Sequence, residues 1–357
     1  MSPSQKLFST HPHLRARWDA VGRKLAFDCR TRQAHRAWRR RTVRKLRELL
    51  GLDTMTPTAL RPRVTEERDC GSHVRQRVEI RTEPGVVMPM YVLIPKAGRG
   101  PFPAVIAAHG HGGGGKVAVA GCREVPGVAE RIAKYNYDYG VGLVEAGFIV
   151  FCPDARGFGE RREEIARRDP FQHCCQWLNH MAIPLGQTVM GMWVWDLMRL
   201  VDYIAARRDC ARGLVGCAGL SGGGLQTLWA AALDERIRAA AVSGYFYGSR
   251  QSLLDGHANC SCNYVPHLWE HADMGDVAAL IAPRPFLVET GDADPLNGAA
   301  GLANVRSQLR IARGAYRLLG APGGLRHAVF AGGHRWNGAA IPWLRRHLAA
   351  GARKEKA

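Results

Sequence analysis

The 357-residue sequence predicts an α/β fold, a mostly parallel, doubly wound sheet preceded by a basic helical extension. Three observations carry that expectation. Apolar runs of strand length recur with helical stretches between them, the pattern of a sheet covered on both faces. The first fifty residues differ, with an apolar stripe set among arginines. One stretch, Leu214–Ala218, then ends abruptly in Gly219-Leu220-Ser221-Gly222-Gly223-Gly224 and passes straight into a helix-forming segment.

Taken in order, Trp18, Leu25, Ala34, Trp38, Val43, Leu46 and Leu49 are spaced for one face of a helix over 14–50, which Gly51 stops. Thr56-Pro57-Thr58 is a linker, so residues 1–60 form the extension. From Val74 the apolar period becomes two: Val78 and Ile80 alternate with Arg77, Glu79 and Arg81. Glu83-Pro84-Gly85 turns that strand into Val86–Ile94, an antiparallel hairpin. Pro103–Ala108 is apolar throughout, as a strand buried on both faces must be. Phe148–Cys152, Leu214–Ala218, Ile237–Val242, Pro285–Val288 and Arg326–Phe330 repeat that signature. Helices are expected near Val128–Glu145, Thr188–Ala206, Gly222–Leu233, Ala300–Leu318 and Ala339–His347. Together they make a main domain over 61–350, followed by a charged tail, 351–357. Residues 160–185 and 246–275 fit no element, and long excursions of this kind serve as lids or binding loops.

Composition excludes several classes. At 46% hydrophobic and 23% charged residues the chain is globular. No window approaches about 18 uninterrupted apolar residues and no apolar leader segment opens the chain, so neither a membrane span nor a signal peptide is expected. The expected location is cytoplasmic. Residues 1–50 hold 14 Lys and Arg against 3 Asp and Glu, more than half of the net charge of +19. Such a segment either binds nucleic acid or is the solvated face of a docked helix. No nucleic-acid-binding motif accompanies it, so the docked helix is expected. The ten cysteines are scattered, and Cys152 and Cys217 sit in strands as small hydrophobes. Cys174-Cys175 and Cys260-x-Cys262 lack the paired C-x₂-C spacing of zinc sites. His257, Cys260, Cys262, His267 and His271 share an irregular loop, where pocket lining is the plainer role. No metal and no cofactor is expected. Trp193, Trp195 and Leu197 with Leu200, Val201 and Ile204 lie at helical spacings, as core residues do.

The chemistry begins at Ser221. A G-x-S-x-G turn between strand and helix holds its serine in a strained conformation, lifts Oγ clear of the sheet and aims the following helix N-terminus at developing negative charge. A serine nucleophile needs a base, and the base needs an acid to orient it. His334 follows the last strand in Phe330-Ala331-Gly332-Gly333-His334, a loop with few apolar neighbours, and is the candidate base. After Pro285–Val288 come Glu289-Thr290-Gly291-Asp292-Ala293-Asp294-Pro295. Asp294, at the start of a turn just beyond the strand, is the preferred acid. Asp292 competes with it, its other role being to cap the loop, and Glu289 stands third. Oxyanion donors are expected from the backbones of Gly222 and of His111, in the loop His109-Gly110-His111-Gly112-Gly113-Gly114-Gly115-Lys116. That loop is no phosphate-binding loop of the G-x-x-x-x-G-K-[ST] type, because Val117 follows Lys116.

His109-Gly110-His111-Gly112, Asp154-Ala155-Arg156-Gly157-Phe158-Gly159, Gly219-Leu220-Ser221-Gly222-Gly223, Ile281-Ala282-Pro283-Arg284-Pro285, Gly291-x-x-Asp294-Pro295 and Gly333-His334-Arg335-Trp336 together resemble the α/β-hydrolase superfamily. Within it they are similar to the acetyl-xylan-esterase/dienelactone-hydrolase-like esterases of bacteria. The resemblance spans about residues 75–350, and the basic N-terminal helix resembles the leader of bacterial members. It implies an α/β-hydrolase fold, a triad at Ser221, Asp294 and His334, and a scaffold role for Arg156. Serine at 221 departs from the cysteine nucleophile of dienelactone hydrolases proper. The expectation is therefore a serine esterase, a deacetylase among the options, acting on a small-molecule ester through an acyl-enzyme. Neither membrane nor nucleic acid is an expected partner, and homo-oligomerisation is compatible with the sequence. The same constellation serves thioester, amide or carbon–carbon bond hydrolysis. The contrasting class is a non-catalytic basic binding protein on the same scaffold.

Overall fold

The computed structural model describes residues 8–256 and 259–349; His257 and the tail 351–357 lie outside the described residues. The sheet runs through β1 (Arg63–Asp69), β2 (His73–Glu83), β3 (Val86–Pro95), β4 (Phe102–Ala108), β5 (Ile149–Pro153), β6 (Cys210–Leu220), β7 (Ile237–Ser243), β8 (Phe286–Gly291) and β9 (Leu325–Phe330). Their spatial order is β1-β2-β3-β5-β4-β6-β7-β8-β9. The pairs from β1 to β5 are antiparallel, and everything from β5 across to β9 is parallel. The hairpin β2–β3 and the parallel strands stand where the sequence places them, but β9 is the far edge of the sheet and is not buried on both faces: Arg326 and Val329 are exposed, because no further strand covers that side. β1 is an addition: every residue is exposed and only Val64 is apolar, so no alternation announces it. Its charges suit an edge strand, which must not invite a further strand.

The period of two sorts the core. Ala104 and Ile106 of β4 and Ile149 and Phe151 of β5 join one apolar cluster; Val105, Ala107, Val150 and Cys152 join the other. The helices Val189–Ala206 and Gly222–Leu233 cover the first face, and Tyr139–Glu145 and Ala340–Ala349 cover the second. Trp193 and Trp195 are core: their indole N–H groups donate to Arg156 O and Thr82 O at 2.9 and 3.0 Å. No helix among the described residues is long and apolar enough to cross a membrane.

Two expected helices are each divided. The stretch 14–50 is two helices, His11–Val21 and Arg32–Leu50. Gly22 ends the first at φ +58°, and the chain then pairs with a distant loop, Lys24 and Leu25 donating to Glu270 O and His271 O at 2.9 and 2.8 Å. Thr31 starts the second by accepting from the Ala34 N–H, a side-chain cap. The face it buries is His35, Trp38, Thr42, Leu46 and Leu50, with Val43 and Leu49 half-buried against the same core, while Ala34 points to solvent. The stretch 128–145 is Val128–Tyr135 and Tyr139–Glu145, separated at Asn136, whose left-handed φ of +52° few residues tolerate. The basic extension is docked. Trp18 packs on Trp269 at 5.0 Å, Arg15 meets Asp255, Arg23 meets the fully buried Asp276, and Trp38 Nε1 donates to Leu25 O.

Candidate active site

The carboxyl ends of β4, β5, β6, β8 and β9 open on one rim of the sheet, where an open α/β sheet offers its crevice. Ser221 follows β6 with φ +59° and ψ −121°, a conformation costly for any residue bearing a Cβ. Its N–H donates to Ser243 O at 2.9 Å, which locks the turn to β7. The flanking glycines are sterically required. A Cβ on Gly219 would lie 2.4 Å from the Gly223 carbonyl carbon, and one on Gly223 would lie 1.9 Å from Ala108 O. Strand, turn and helix could not close on each other with larger residues.

Behind β8, Asp294 is buried, and its Oδ1 accepts from the Leu296 N–H while Oδ2 lies 2.7 Å from His334 Nδ1. Asp292 is exposed and accepts from the Gly332 N–H at 2.9 Å, so it caps the loop that carries His334. Glu289 sits at the strand end, accepting from Ser243 Oγ and from the N–H groups of Asn337 and Ala339. Burial pushes its carboxyl upward against those bonds. The three acids thus separate by what they touch: only Asp294 reaches the imidazole. Gly291 lets these loops meet, since a Cβ there would lie 2.4 Å from Gly333 O.

Ser221, Gly222, His111 and His334 line one pocket of about 560 Å³. Ser221 Oγ has no hydrogen bond within the described residues; such contacts commonly tighten only once substrate is bound. The 109–111 loop packs directly on the turn, a Cβ on Gly110 falling 2.8 Å from Gly222 N. Neither the His111 nor the Gly222 N–H has an intramolecular acceptor among the described residues. Tyr137, which the sequence reading missed, holds this loop: its hydroxyl accepts from Gly110 N at 2.7 Å and donates to His111 O. Tyr139 Oη donates to Ala108 O beside it. His109 is fully buried, which lowers its pKa and keeps it neutral, and its Nε2 accepts from the Ala155 N–H at 3.0 Å. The 154–161 turn is anchored in turn. Asp154 pairs with the buried Lys116 at 2.6 Å, while Arg156 and Arg161 both clamp Asp196. Arg156 also reaches Glu83 at 2.7 Å and is scaffold.

The two excursions build the pocket's far wall, contributing Gln176 and His173 from one and Tyr247, Asn259 and Asn263 from the other, with Tyr245 just ahead of the second after β7. Here the thiols gather differently from the sequence grouping. His111 Nε2, a ring nitrogen of His173, Cys175 Sγ and Cys260 Sγ all lie within 4.8 Å of one another, with Cys262 Sγ 3.7 Å from His111 Nε2. His267 instead pairs with Glu270 at the surface, and neither it nor His271 belongs to the cluster. Hydrogen bonds from Cys175 and Cys262 pull the Cys260 thiol down.

No protein-family profile matches the chain. A protein of Bacillus subtilis (strain 168), named "Putative hydrolase YtaP", is 31% identical over 230 residues, covering 62% of this chain and 70% of that protein. Many solved structures are similar in fold, including two that cover most of this chain. One is described as a "putative acetyl xylan esterase" from Bacteroides fragilis NCTC 9343, at a TM-score of 0.74 and 18% identity, covering 92% of this chain and 84% of that one. The other is named methylesterase BT1017, at a TM-score of 0.68 and 19% identity, covering 99% and 70%.

Proposed function

The chain belongs to the α/β-hydrolase superfamily, in the family of that Bacillus subtilis protein, and from that premise we propose that it is a serine carboxylic ester hydrolase working through an acyl-enzyme. One observation carries the reading: a strained Ser221 faces the pocket that His334 lines, and His334 Nδ1 is held at 2.7 Å by the buried Asp294. As Ser221 Oγ attacks the ester carbonyl carbon, its proton passes to His334 Nε2. The carbonyl oxygen becomes an oxyanion between the N–H groups of His111 and Gly222. Collapse breaks the bond to the alcohol oxygen, which leaves with the proton from His334. Water then attacks the acyl-enzyme, giving its proton to His334; the carboxylic acid leaves and Oγ is reprotonated. Asp294 fixes the tautomer and stabilises the imidazolium throughout.

The wall favours an oxygen-rich substrate of small size. Tyr135, Tyr137, Tyr245 and Tyr247 with Asn259 and Asn263 surround the volume, and the buried Tyr247 Oη has no hydrogen-bond partner among the described residues. The structures similar in fold carry names of acetyl and methyl ester hydrolases, which supports short-chain carboxylic esters, acetyl esters of a polyol or sugar among them. The test is kinetic and covalent. Purified protein should hydrolyse p-nitrophenyl acetate with a burst of one nitrophenolate per chain, and a fluorophosphonate should label Ser221. No labelling and no turnover on acetyl, methyl or longer esters would overturn the reading.

A further inference from the structure

We propose that His111, His173, Cys175 and Cys260 form a structural metal site for one zinc(II)-class ion, which staples the oxyanion loop to both walls of the pocket. The geometry centres on Cys175. Its Sγ lies 3.4 Å from His111 Nε2, 3.3 Å from His173 Nδ1 and 3.2 Å from Cys260 Sγ. A tetrahedral zinc with Zn–S of about 2.3 Å and Zn–N of about 2.0–2.1 Å needs ligand atoms about 3.3–3.8 Å apart. The two S···N separations lie within about 0.3 Å of the ~3.5 Å such a pair needs, and the S···S separation is about 0.5 Å short of its ~3.8 Å, a difference the Cys260 loop would have to give. They are much too long for a disulfide, whose sulfurs sit about 2.05 Å apart.

The donor set fits the ion. Two imidazoles and two thiolates are the nitrogen and sulfur ligands of closed, four-coordinate zinc sites. The apolar shell is present, with Phe158 stacked on His173 at 5.1 Å and set edge-on to His111 at 5.1 Å. Cys175 is fully buried. Cys262, on the short helical turn Ser261–Asn263 that follows Cys260, is a spare thiol that can hydrogen-bond to a bound thiolate or replace it.

The ligands come from three places that share no strand: the loop after β4, the start of the helix Cys175–Ala182, and the second excursion. One ion would therefore cross-link the segments that close the pocket. It would also act on His111 itself. Coordination through Nε2 leaves the ring proton on Nδ1, the nitrogen lying against Gly222, where a Cβ would fall 3.0 Å from it. The metal would thus hold His111, whose N–H faces the oxyanion, in one position and one tautomer. His111 is on this account a positioning residue as well as a backbone donor. All four places being taken by protein, the ion has no open position for water, as structural sites do not.

The site is tested on the full chain, purified without chelator and then stripped and reloaded with zinc or cobalt alone. One zinc per chain is expected, as is a cobalt form with a thiolate charge-transfer band and tetrahedral d–d absorption. Cys175→Ser, and separately the pair Cys260→Ser with Cys262→Ser, should weaken zinc binding by more than about 100-fold, beyond what losing an outer partner costs. His173→Ala, at a half-buried position, should do the same in a chain whose melting shows that it folds. Ser221→Ala should bind zinc like the parent, which separates this site from the esterase reading: zinc held without turnover sinks only the latter. Three results would overturn the site: no stoichiometric uptake, a cobalt spectrum without thiolate bands, or a thiol count two short in denaturant that marks Cys175 and Cys260 as disulfide-bonded.

Discussion

The rim of strand ends and the wall opposite it are built on different terms. On the rim, Ser221, Asp294 and His334 each stand within four residues of the end of a strand, and the parallel register of β6 to β9 brings those ends side by side. Their geometry follows from the sheet. The wall consists of two excursions whose short helical turns touch one another, with the N-terminal extension docked against the second through Trp18 and Trp269. Its side chains meet only because distant segments fold over the rim. The rim is thus specified locally and the wall cooperatively.

The largest expected loss is at Ser221, the proposed nucleophile. Ser221→Ala should lower kcat/KM on p-nitrophenyl acetate by about 10⁴-fold or more while leaving the melting temperature close to that of the parent. A variant retaining a tenth of the activity would remove Ser221 from the mechanism. Asp294→Asn should cost about 10³–10⁴-fold, because the amide supports the wrong imidazole tautomer. Asp292→Asn, at the exposed loop cap, should cost under about tenfold. Equal losses in the two would move the acid.

Stability tests the wall. Deleting residues 1–50 removes Trp38, Leu46 and Leu50, each no more than 2% exposed, together with the Trp18–Trp269 contact under the second excursion. The truncated chain should melt far below the parent or fail to accumulate, and the intact chain should show no steep salt-dependent affinity for DNA. A truncation as stable as the parent would mean the extension supports nothing. Asp196→Asn should be milder, at about 3–5 kcal/mol, since it leaves the buried Arg161 guanidinium without its carboxylate. The pH dependence of that contact has a defined sign. Burial raises the Asp196 carboxyl, but Arg161 and Arg156 outweigh it and hold the group at about 2. The unfolded chain, titrating near about 3.9, binds the extra proton first, so this contribution is complete above about pH 4 and is lost as pH falls toward 2. Urea midpoints of parent and variant should converge over that interval; a constant gap would contradict the assignment.

Much of this protein is legible in its sequence, for a physical reason. A strand buried on both faces has to be apolar along its length, and the turn holding Ser221 at φ +59° has to be flanked by glycines, because a Cβ on Gly219 or Gly223 would fall 1.9–2.4 Å from backbone atoms. Those constraints act on neighbouring residues and leave local marks: β4 to β8, the Gly219–Gly223 turn, Asp294 after one strand and His334 after the next. What the sequence could not determine was anything whose partner is remote. The charged edge strand β1 carries no alternation, and the break after Gly22 depends on backbone bonds to Glu270 and His271. Tyr137 earns its place only by reaching Gly110, 27 residues away. The thiols and imidazoles of the wall are the extreme case: Cys175 and Cys260 are separated by 85 residues, and His111 by a further 64 from Cys175. Spacing along the chain argued against a metal there, because ligand spacing is diagnostic only when one segment supplies the pairs. Convergence of three segments is decided by the tertiary fold, since only the closed sheet and the excursions packed over it bring those side chains within reach of one ion.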